Sequence, residues 1–197
     1  AVTVIATDSG GLTTSQEFTI IVNDINEAPT AINLSSTAID ENSAGAVIGD
    51  LATTDEDIGD SHTYTLTGDD ADSFEIVDGQ LKLKDEVSAN YEVKSSYTVT
   101  VTATDSGGLT TSEDFTVTVN DINEAPTGIT VSRTGLANDT DGAEVGTLTT
   151  TDEDAGDSHI YTVSDDRFEV VDGVLKLKAG QSIDNLTEPT VTLTITS

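Results

Sequence analysis

The sequence predicts an all-β chain of tandem Greek-key β-sandwiches. Three observations carry that expectation. Apolar residues alternate with Thr and Ser along short runs, the period of strands with one buried face, and no helical period appears anywhere. Turn residues such as Asp-Ser-Gly-Gly and Asp-Gly separate the runs. The chain also repeats itself at a spacing that fits a whole small domain.

The repeat is carried by three motifs. Asp8-Ser9-Gly10-Gly11-Leu12-Thr13-Thr14-Ser15 returns at Asp105–Ser112, and Asn23-Asp24-Ile25-Asn26-Glu27-Ala28-Pro29-Thr30 returns at Asn120–Thr127. Thr54-Asp55-Glu56-Asp57 returns as Thr151-Asp152-Glu153-Asp154. All three pairs are offset by 97 residues (105−8, 120−23, 151−54). That period is too long for a solenoid unit.

The middle repeat reads as seven strands, near Ile32–Thr37, Val47–Thr53, His62–Thr67, Phe74–Val77, Leu81–Lys84, Tyr97–Thr104 and Glu113–Asn120. Val and Thr enrichment favours strands throughout. Val99, Val101 and Ala103 fall on one face of the sixth strand, and Phe115, Val117 and Val119 on one face of the seventh. These two strands flank Asp105-Ser106-Gly107-Gly108 and are expected to form a hairpin. Asp78-Gly79 predicts a second hairpin, between Val77 and Leu81. Seven short strands at this spacing indicate an immunoglobulin-like sandwich.

Three segments follow. Residues 1–26 read as the last two strands of a preceding repeat plus a linker, 27–124 as a complete repeat, and 125–197 as a repeat lacking its last strand. The third repeat is three residues shorter before Phe168 (168−74 is 94) and reaches its sixth strand at Val191–Thr196. Ala1 opens inside a strand, so the sequence reads as a segment of a longer chain. Gln16–Asn23, a seventh strand without its domain, would complement the open position beside Val191–Ile195 of another copy. Strand donation between identical subunits is therefore one expected mode of assembly.

Composition narrows the function. Thirty-seven acids against seven bases give a formal net charge of −30, which argues against nucleic-acid binding. No cysteine is present, so the fold does not depend on disulfides. No run is long and apolar enough to insert into a membrane as a helix. His62 and His159 each follow Asp-Ser, with no nucleophile motif nearby, and enzymatic activity is not expected. Only four Tyr and four Phe are available, too few for a convincing sugar-stacking row.

The acidic motifs resemble those of cadherin repeats, in the form found in large bacterial RTX-type surface adhesins. Such repeats end in a linker like Asp-x-Asn-Asp-Asn-x-Pro. Here it reads Asp121-Ile122-Asn123-Glu124-Ala125-Pro126, one residue shorter and with Glu in place of the second Asp. The family's early Glu corresponds to Glu41, and its Leu-Asp-Arg-Glu segment to Ala89-Asn90-Tyr91-Glu92. The Asp-x-Asp of the next repeat corresponds to Asp152 and Asp154, followed by Gly156 and Tyr161. The Asp of Ala-x-Asp-x-Gly corresponds to Asp105 in the middle repeat and to Ser197 in the last.

The resemblance implies calcium at the junctions. One set would combine Asp24, Asn26, Glu27, Asp55, Asp57 and Asp105. The other would combine Glu41, Glu92, Asp121, Asn123, Glu124, Asp152 and Asp154. Elementary chemistry agrees, since Ca2+ is a hard cation that takes six to eight oxygens. A further downstream set is degenerate, because Ala137-Asn138-Asp139 replaces Asp40-Glu41-Asn42.

The expected function is that of a calcium-rigidified spacer or adhesion repeat in a bacterial cell-surface or secreted adhesin. Its expected partners are neighbouring repeats, identical subunits, and surface polysaccharide or protein. A carbohydrate-binding module and a strand-donating filament subunit are the alternative readings.

Overall fold

The computed structural model describes all residues 1–197. Its strands are β1 (Val2–Thr7), β2 (Thr13–Phe18), β3 (Ala31–Leu34), β4 (Ala38–Asp40), β5 (Val47–Thr54), β6 (Thr63–Thr67), β7 (Phe74–Val77) and β8 (Gln80–Leu83). They continue as β9 (Ser96–Thr104), β10 (Thr110–Asn120), β11 (Gly128–Val131), β12 (Glu144–Thr151), β13 (Thr162–Val163), β14 (Phe168–Val171), β15 (Val174–Leu177) and β16 (Ile195–Thr196). A single 3-10 turn, Ala71–Ser73, is the only helical element. No helix is long and apolar enough to cross a membrane.

The strands form β-sandwiches, as expected. In the middle repeat one sheet has the order β3-β5-β8-β7 and the other β4-β10-β9-β6. In the last repeat the corresponding sheets are β11-β12-β15-β14 and β13-β16. The β1–β2 hairpin pairs Val2 with Phe18 through Thr7 with Thr13 around the first Asp-Ser-Gly-Gly turn.

Contacts divide the chain into two compact units. The first comprises residues 1–37, 47–84 and 98–117, and the second residues 38–46, 85–97 and 118–197. In the first, Ile32, Ile48, Leu51, Phe74, Leu81, Leu83, Val99, Val101, Ala103 and Val117 are buried. Val99, Val101, Ala103 and Val117 are inward positions of the expected alternation, whereas Phe115, expected on the same face as Val117, is half-buried. In the second, Ala143, Val145, Leu148, Phe168, Leu175, Leu177 and Ile183 form one apolar cluster, with Tyr161 and Val163 packed against it.

Each expected strand of the middle repeat has a counterpart, but the first, expected over Ile32–Thr37, already ends at Leu34 in β3, and an unexpected strand, β4, begins beyond it at Ala38. Ser35 N–H donates to the Asp50 carbonyl at 3.0 Å, and Asp50 N–H donates to Ser35 Oγ at 2.8 Å. The partner strand β5 shifts register between Val47 and Gly49. A Cβ on Gly49 would lie 2.7 Å from Ser35 Oγ and 2.8 Å from Ser36 N, so glycine is required for this close approach. Beyond it the chain changes sheets, and β4 pairs in parallel with β10, Ala38 with Thr118 through Asp40 with Asn120. Gly146 repeats the arrangement at the shift between Glu144 and Gly146, where a Cβ would lie 2.9 Å from the Arg133 carbonyl and from Ser132 Oγ.

The expected sixth strand of the last repeat, Val191–Thr196, narrows to β16. Ser164 Oγ accepts the Thr194 N–H at 2.9 Å, so a side chain takes the donor that a longer ladder would use. Asp78-Gly79 and Asp172-Gly173 form the same tight hairpin, with φ of 50° and 79° in one and 48° and 74° in the other.

Candidate metal centre

The turns and linkers of this fold gather acids, and each unit holds its own cluster. In the first unit the carboxylates of Asp24, Glu27 and Asp57 approach within 4.8 Å of one another. Asp57 Oδ2 accepts the Glu27 N–H at 2.9 Å, which fixes the linker against the Asp-Glu-Asp turn. Asp55 lies two residues earlier and faces elsewhere. Its Oδ1 accepts the Asp57 N–H at 3.0 Å, and its Oδ2 meets His62 Nε2 at 2.9 Å. Asn26 Nδ2 donates to Asp105 Oδ2 at 2.9 Å, while Asp105 Oδ1 accepts the Leu109 N–H at 2.7 Å. Asp105 is 6% exposed, so its position on the hairpin between β9 and β10 buries it beside the linker.

The second unit holds two carboxylate groups that share Glu92. Glu41, Glu92 and Asp121 form one, and Glu92, Glu124 and Asp154 the other, each within 4.8 Å. Glu41 is 2% exposed and is held at both ends, with Oε2 accepting the Tyr91 N–H and Oε1 the Ile122 N–H, each at 2.7 Å. The Glu124 N–H donates to Asp154 Oδ2 at 2.7 Å, repeating the Glu27–Asp57 contact of the first unit. Asn42 Nδ2 reaches Glu124 Oε1. Glu124 Oε2, by contrast, is buried without any hydrogen-bond partner.

The two sets differ in detail. Asn123 Nδ2 bonds only back to the Glu124 carbonyl at 2.9 Å, whereas Asn26 also reaches Asp105. Asp152 Oδ1 accepts the Asp154 N–H at 3.3 Å and sits 3.9 Å from His159, outside the shared carboxylate groups. At the far end of the last repeat Asn138 replaces Glu41. Its Oδ1 accepts the Asn185 N–H at 2.6 Å, as Glu41 does with Tyr91. Leu186 stands where the middle repeat has Glu92 and is 93% exposed, so this end keeps the backbone arrangement and loses the carboxylates.

Several contributors were invisible to motif reading. Asn42 and Asp60 follow known motifs in sequence, but nothing in the spacing signals that their side chains turn towards the acids. Gly107 is similar. A Cβ there would lie 2.6 Å from the Asn26 amide, so this glycine makes room for the Asn26–Asp105 contact.

The electrostatics are those of a site awaiting positive charge. Burial raises the pKa of Asp121, helped by the neighbouring Asp154 and Glu41 carboxylates. Burial likewise raises Glu124, with Glu41, Asp154 and Glu92 adding to it. For Glu92 a hydrogen bond from its own backbone pulls downward, but burial and the Glu41, Asp121 and Asp154 charges outweigh it, and the net shift is upward. Glu27 is raised by burial and by Asp57 and Asp24. Glu41 goes the other way, lowered by the Tyr91 and Ile122 N–H groups.

These shifts give a signed pH dependence. An acid whose pKa is raised in the folded protein binds more protons there than when unfolded. Stability without calcium therefore falls as pH rises from the ordinary carboxylate range through the raised values. Glu41 acts oppositely, but its contribution is lost only below the ordinary range. The calcium-free chain is thus expected to melt at a higher temperature near about pH 5 than near about pH 7. Saturating calcium should reduce or reverse that order. Calorimetric scans at both values in chelator and in calcium check it.

The donor set fits a hard divalent cation. Every group in the clusters offers oxygen, and Glu124 Oε2 is a buried oxygen in need of a positive partner. Glu41, Glu92, Asp121, Glu124 and Asp154 would hold an ion in the second unit, and Asp24, Glu27 and Asp57 in the first.

Comparison with known proteins agrees with this architecture. The cadherin domain model matches residues 35–120. Human protocadherin-24 EC1-2 superposes with a TM-score of 0.63 at 21% identity, covering 83% of this chain and 82% of that one. Extracellular cadherin domains 1-5 of protocadherin gamma B2 give 0.67 at 21% identity, covering 98% of this chain and 40% of that one. The gamma B4 extracellular domain gives 0.67 at 19%, covering 98% and 32%. The chain thus spans less than half of these two longer relatives, and at such identities the likeness is one of fold. The match to the cadherin domain model is confined to residues 35–120, under half of the chain, and cadherin domains as a family are calcium-binding, adhesion-related extracellular repeats.

Proposed function

We propose that this chain is a calcium-binding structural repeat segment of a bacterial cell-surface or secreted adhesin, stiffened by Ca2+ at its interdomain junctions. The observation that carries the proposal is the second-unit cluster, where Glu41, Glu92, Asp121, Glu124 and Asp154 converge and Glu124 Oε2 is left buried and unpaired. Such a group of like charges is costly without a counter-ion, and a cation taking several of these oxygens would order the linker. The first-unit cluster repeats the same linker contact. We further propose the three-part organisation 1–26, 27–124 and 125–197, with the clusters at the two boundaries. The shortened Asp-Ile-Asn-Glu-Ala-Pro linkers favour the bacterial assignment, and an extracellular location follows from it.

Small-angle scattering tests the stiffening. Millimolar calcium should lengthen the particle and narrow its distribution of dimensions relative to chelator. Dimensions that ignore calcium contradict the role as a rigid spacer.

A sugar-binding role gains little support. The hydroxyls of Tyr64 and Tyr161 are tied to Thr53 and Thr150 at 2.8 and 2.6 Å, and Tyr97 lies 4.9 Å beneath Lys94 Nζ. Strand donation between copies is the second reading. A groove of about 400 Å3 in the second unit is lined by Leu136, Phe168, Ile183, Val191 and Leu193, an apolar setting suited to a strand. Ile20, Ile21 and Val22 are exposed. A mass that rises with concentration, and is lost on deleting residues 1–23, would support it.

A further inference from the structure

We propose that a second copy of this chain lays its residues 13–23 into the groove beside residues 191–196, in the register that β10 takes in the middle repeat. The proposal rests on the strand-donation reading above and adds the partner strands, the direction and the inward face.

The middle repeat supplies the template. There β10 lies between β4 and β9. It runs parallel to β4, with Thr118 beside Ala38, Val119 beside Ile39 and Asn120 beside Asp40. On its other edge the Val119 N–H donates to the Ser95 carbonyl at 2.9 Å, and Thr100 Oγ1 donates to Asp114 Oδ1 at 2.6 Å. Val117 and Val119 are buried, and so are Ile39, Val99 and Val101 on the flanking strands.

In the last repeat the same place is built but open. Leu136, Leu193 and Ile195 stand at the positions of Ile39, Val99 and Val101, and each is only half-buried. Leu136 and Leu193 line the groove, and β16 has a strand neighbour on its β13 side alone. The matching strand is exposed in the first unit. Residues 13–23 repeat residues 110–120, with Phe18, Thr19, Val22 and Asn23 unchanged and Ile20 in place of Val117. Ile20, Ile21 and Val22 are 66%, 77% and 91% exposed.

The repeat offset sets the register. It places Ile21 beside Gly135, Val22 beside Leu136 and Asn23 beside Ala137, with Glu17 opposite Thr194. A slip of one residue would turn Ile20 and Val22 out to solvent, so the register is specified. In the free chain β1 holds the edge of β2 that would face the acceptor, with Thr3 opposite Glu17 and Ile5 opposite Ser15. Donation therefore exchanges β1 for the acceptor strand. A lone two-stranded hairpin is marginal in water, and every residue of β1 and β2 is exposed. The acceptor offers a ladder and an apolar core together, which favours the exchange.

Size and charge set the strength. Eleven extended residues span about 36 Å, and a strand of that length buries on the order of 1,000 Å2 over both partners, at the low end for a specific contact. Both copies carry a net charge of −30 and repel each other. The donor's Asp24-Ile25-Asn26-Glu27 would follow its strand to the Asn138 and Leu186 end of the acceptor, which lacks counterparts of Glu41 and Glu92. Assembly therefore needs concentrated protein and salt, but not calcium. The contact is head-to-tail and extends to open chains.

Light scattering of full-length chains in chelator tests it. At about 0.15 M salt the mass should rise with concentration, and it should rise less at about 0.01 M, where the Debye length grows from about 8 to about 30 Å. Val22→Pro, at an exposed position outside the strands of the free chain, should abolish the rise, because its N–H is the counterpart of the Val119 donor. Val4→Pro, which weakens the pairing of β1 with Gln16, should shift assembly to lower concentration. The chain has no cysteine, so Ile21→Cys chains are also mixed with Gly135→Cys chains under mild oxidation. A Cβ on Gly135 meets nothing within 4 Å. A disulfide between the two chains should form. Thr19→Cys, about 8 Å from position 135 in this register, should form none. A mass that rises without the disulfide between positions 21 and 135 overturns this register and leaves strand donation standing. A mass that stays at one chain, with no disulfide, overturns both. A rise that survives Val22→Pro, or is lost in Val4→Pro, overturns the exchange of β1 for the acceptor strand. Should a proline variant not fold, the disulfide decides alone.

Discussion

Calcium is expected to raise the melting temperature of this chain by roughly 10 °C over its value in chelator. At about tenfold excess over the dissociation constant, one ion adds about 1.4 kcal/mol by mass action. Two occupied clusters, one in each unit, add about 3 kcal/mol. For domains of this size each kcal/mol moves the midpoint by several degrees. Two further features favour a large response. Glu41 is buried and Glu124 and Asp154 are half-buried, so screening by salt replaces calcium poorly at these three acids. Glu124 Oε2 has no partner to lose when an ion arrives. Magnesium is smaller and holds its own waters, so it should stabilise less at equal concentration. Scanning calorimetry in chelator, magnesium and calcium checks the order.

Asp154→Ala is expected to weaken calcium binding in the second unit at least tenfold, about 1.4 kcal/mol, and leave the first cluster unaffected. Asp154 has two tasks there. One oxygen accepts the Glu124 N–H at 2.7 Å and so sets where the Glu124 side chain begins. The carboxylate is also one of the three oxygen donors of the Glu92, Glu124 and Asp154 group. Truncation removes a negative charge, an acceptor and a ligand at once. Asp154 is part of no apolar core, so the sandwich of the middle repeat should still fold, with a circular-dichroism spectrum like that of the parent. Titration calorimetry should show one set of sites weakened and the other unchanged. Equal stoichiometry and affinity in parent and variant would assign Asp154 to solvated surface.

How much of this was legible in the sequence depended on the kind of signal. Period-two alternation marked Val99, Val101, Ala103, Phe115, Val117 and Val119, and all are buried except Phe115, which is half-buried. Asp-Gly turns marked both hairpins. What alternation could not show was that the first strand stops at Leu34 and that a separate strand, β4, follows at Ala38. That break depends on a tertiary event, the close approach of Ser35 and Ser36 to Gly49 across the register shift of β5. The shortening of the Val191–Thr196 strand has a similar origin, because a side-chain acceptor on Ser164 competes with the ladder.

The candidate site was legible by type and only partly by arrangement. Repetition at a fixed offset picked out Asp121, Glu124 and Asp154, the family resemblance added Glu41 and Glu92, and these five do converge. Asp55 and Asp152 were grouped with their Asp-x-Asp partners, yet their carboxylates face His62 and His159. Two residues of an extended segment share a face, but a turn at Asp55–Asp57 lets the backbone of one cap the side chain of the other. Asn42, held at a φ of 62°, follows Glu41 in its motif, and nothing local signals that its side chain reaches Glu124. Such contacts join residues about eighty positions apart, and no local pattern encodes them.

The most direct test of the central claim is diffraction from crystals of the whole chain grown with millimolar calcium, with anomalous difference maps phased on the protein. The calcium account predicts a peak among Glu41, Glu92, Asp121, Glu124 and Asp154, with carboxylate oxygens at about 2.3–2.6 Å, and a second beside Asp24, Glu27 and Asp57. Well-ordered carboxylates at these positions with water alone between them, in calcium-containing crystals, would contradict it.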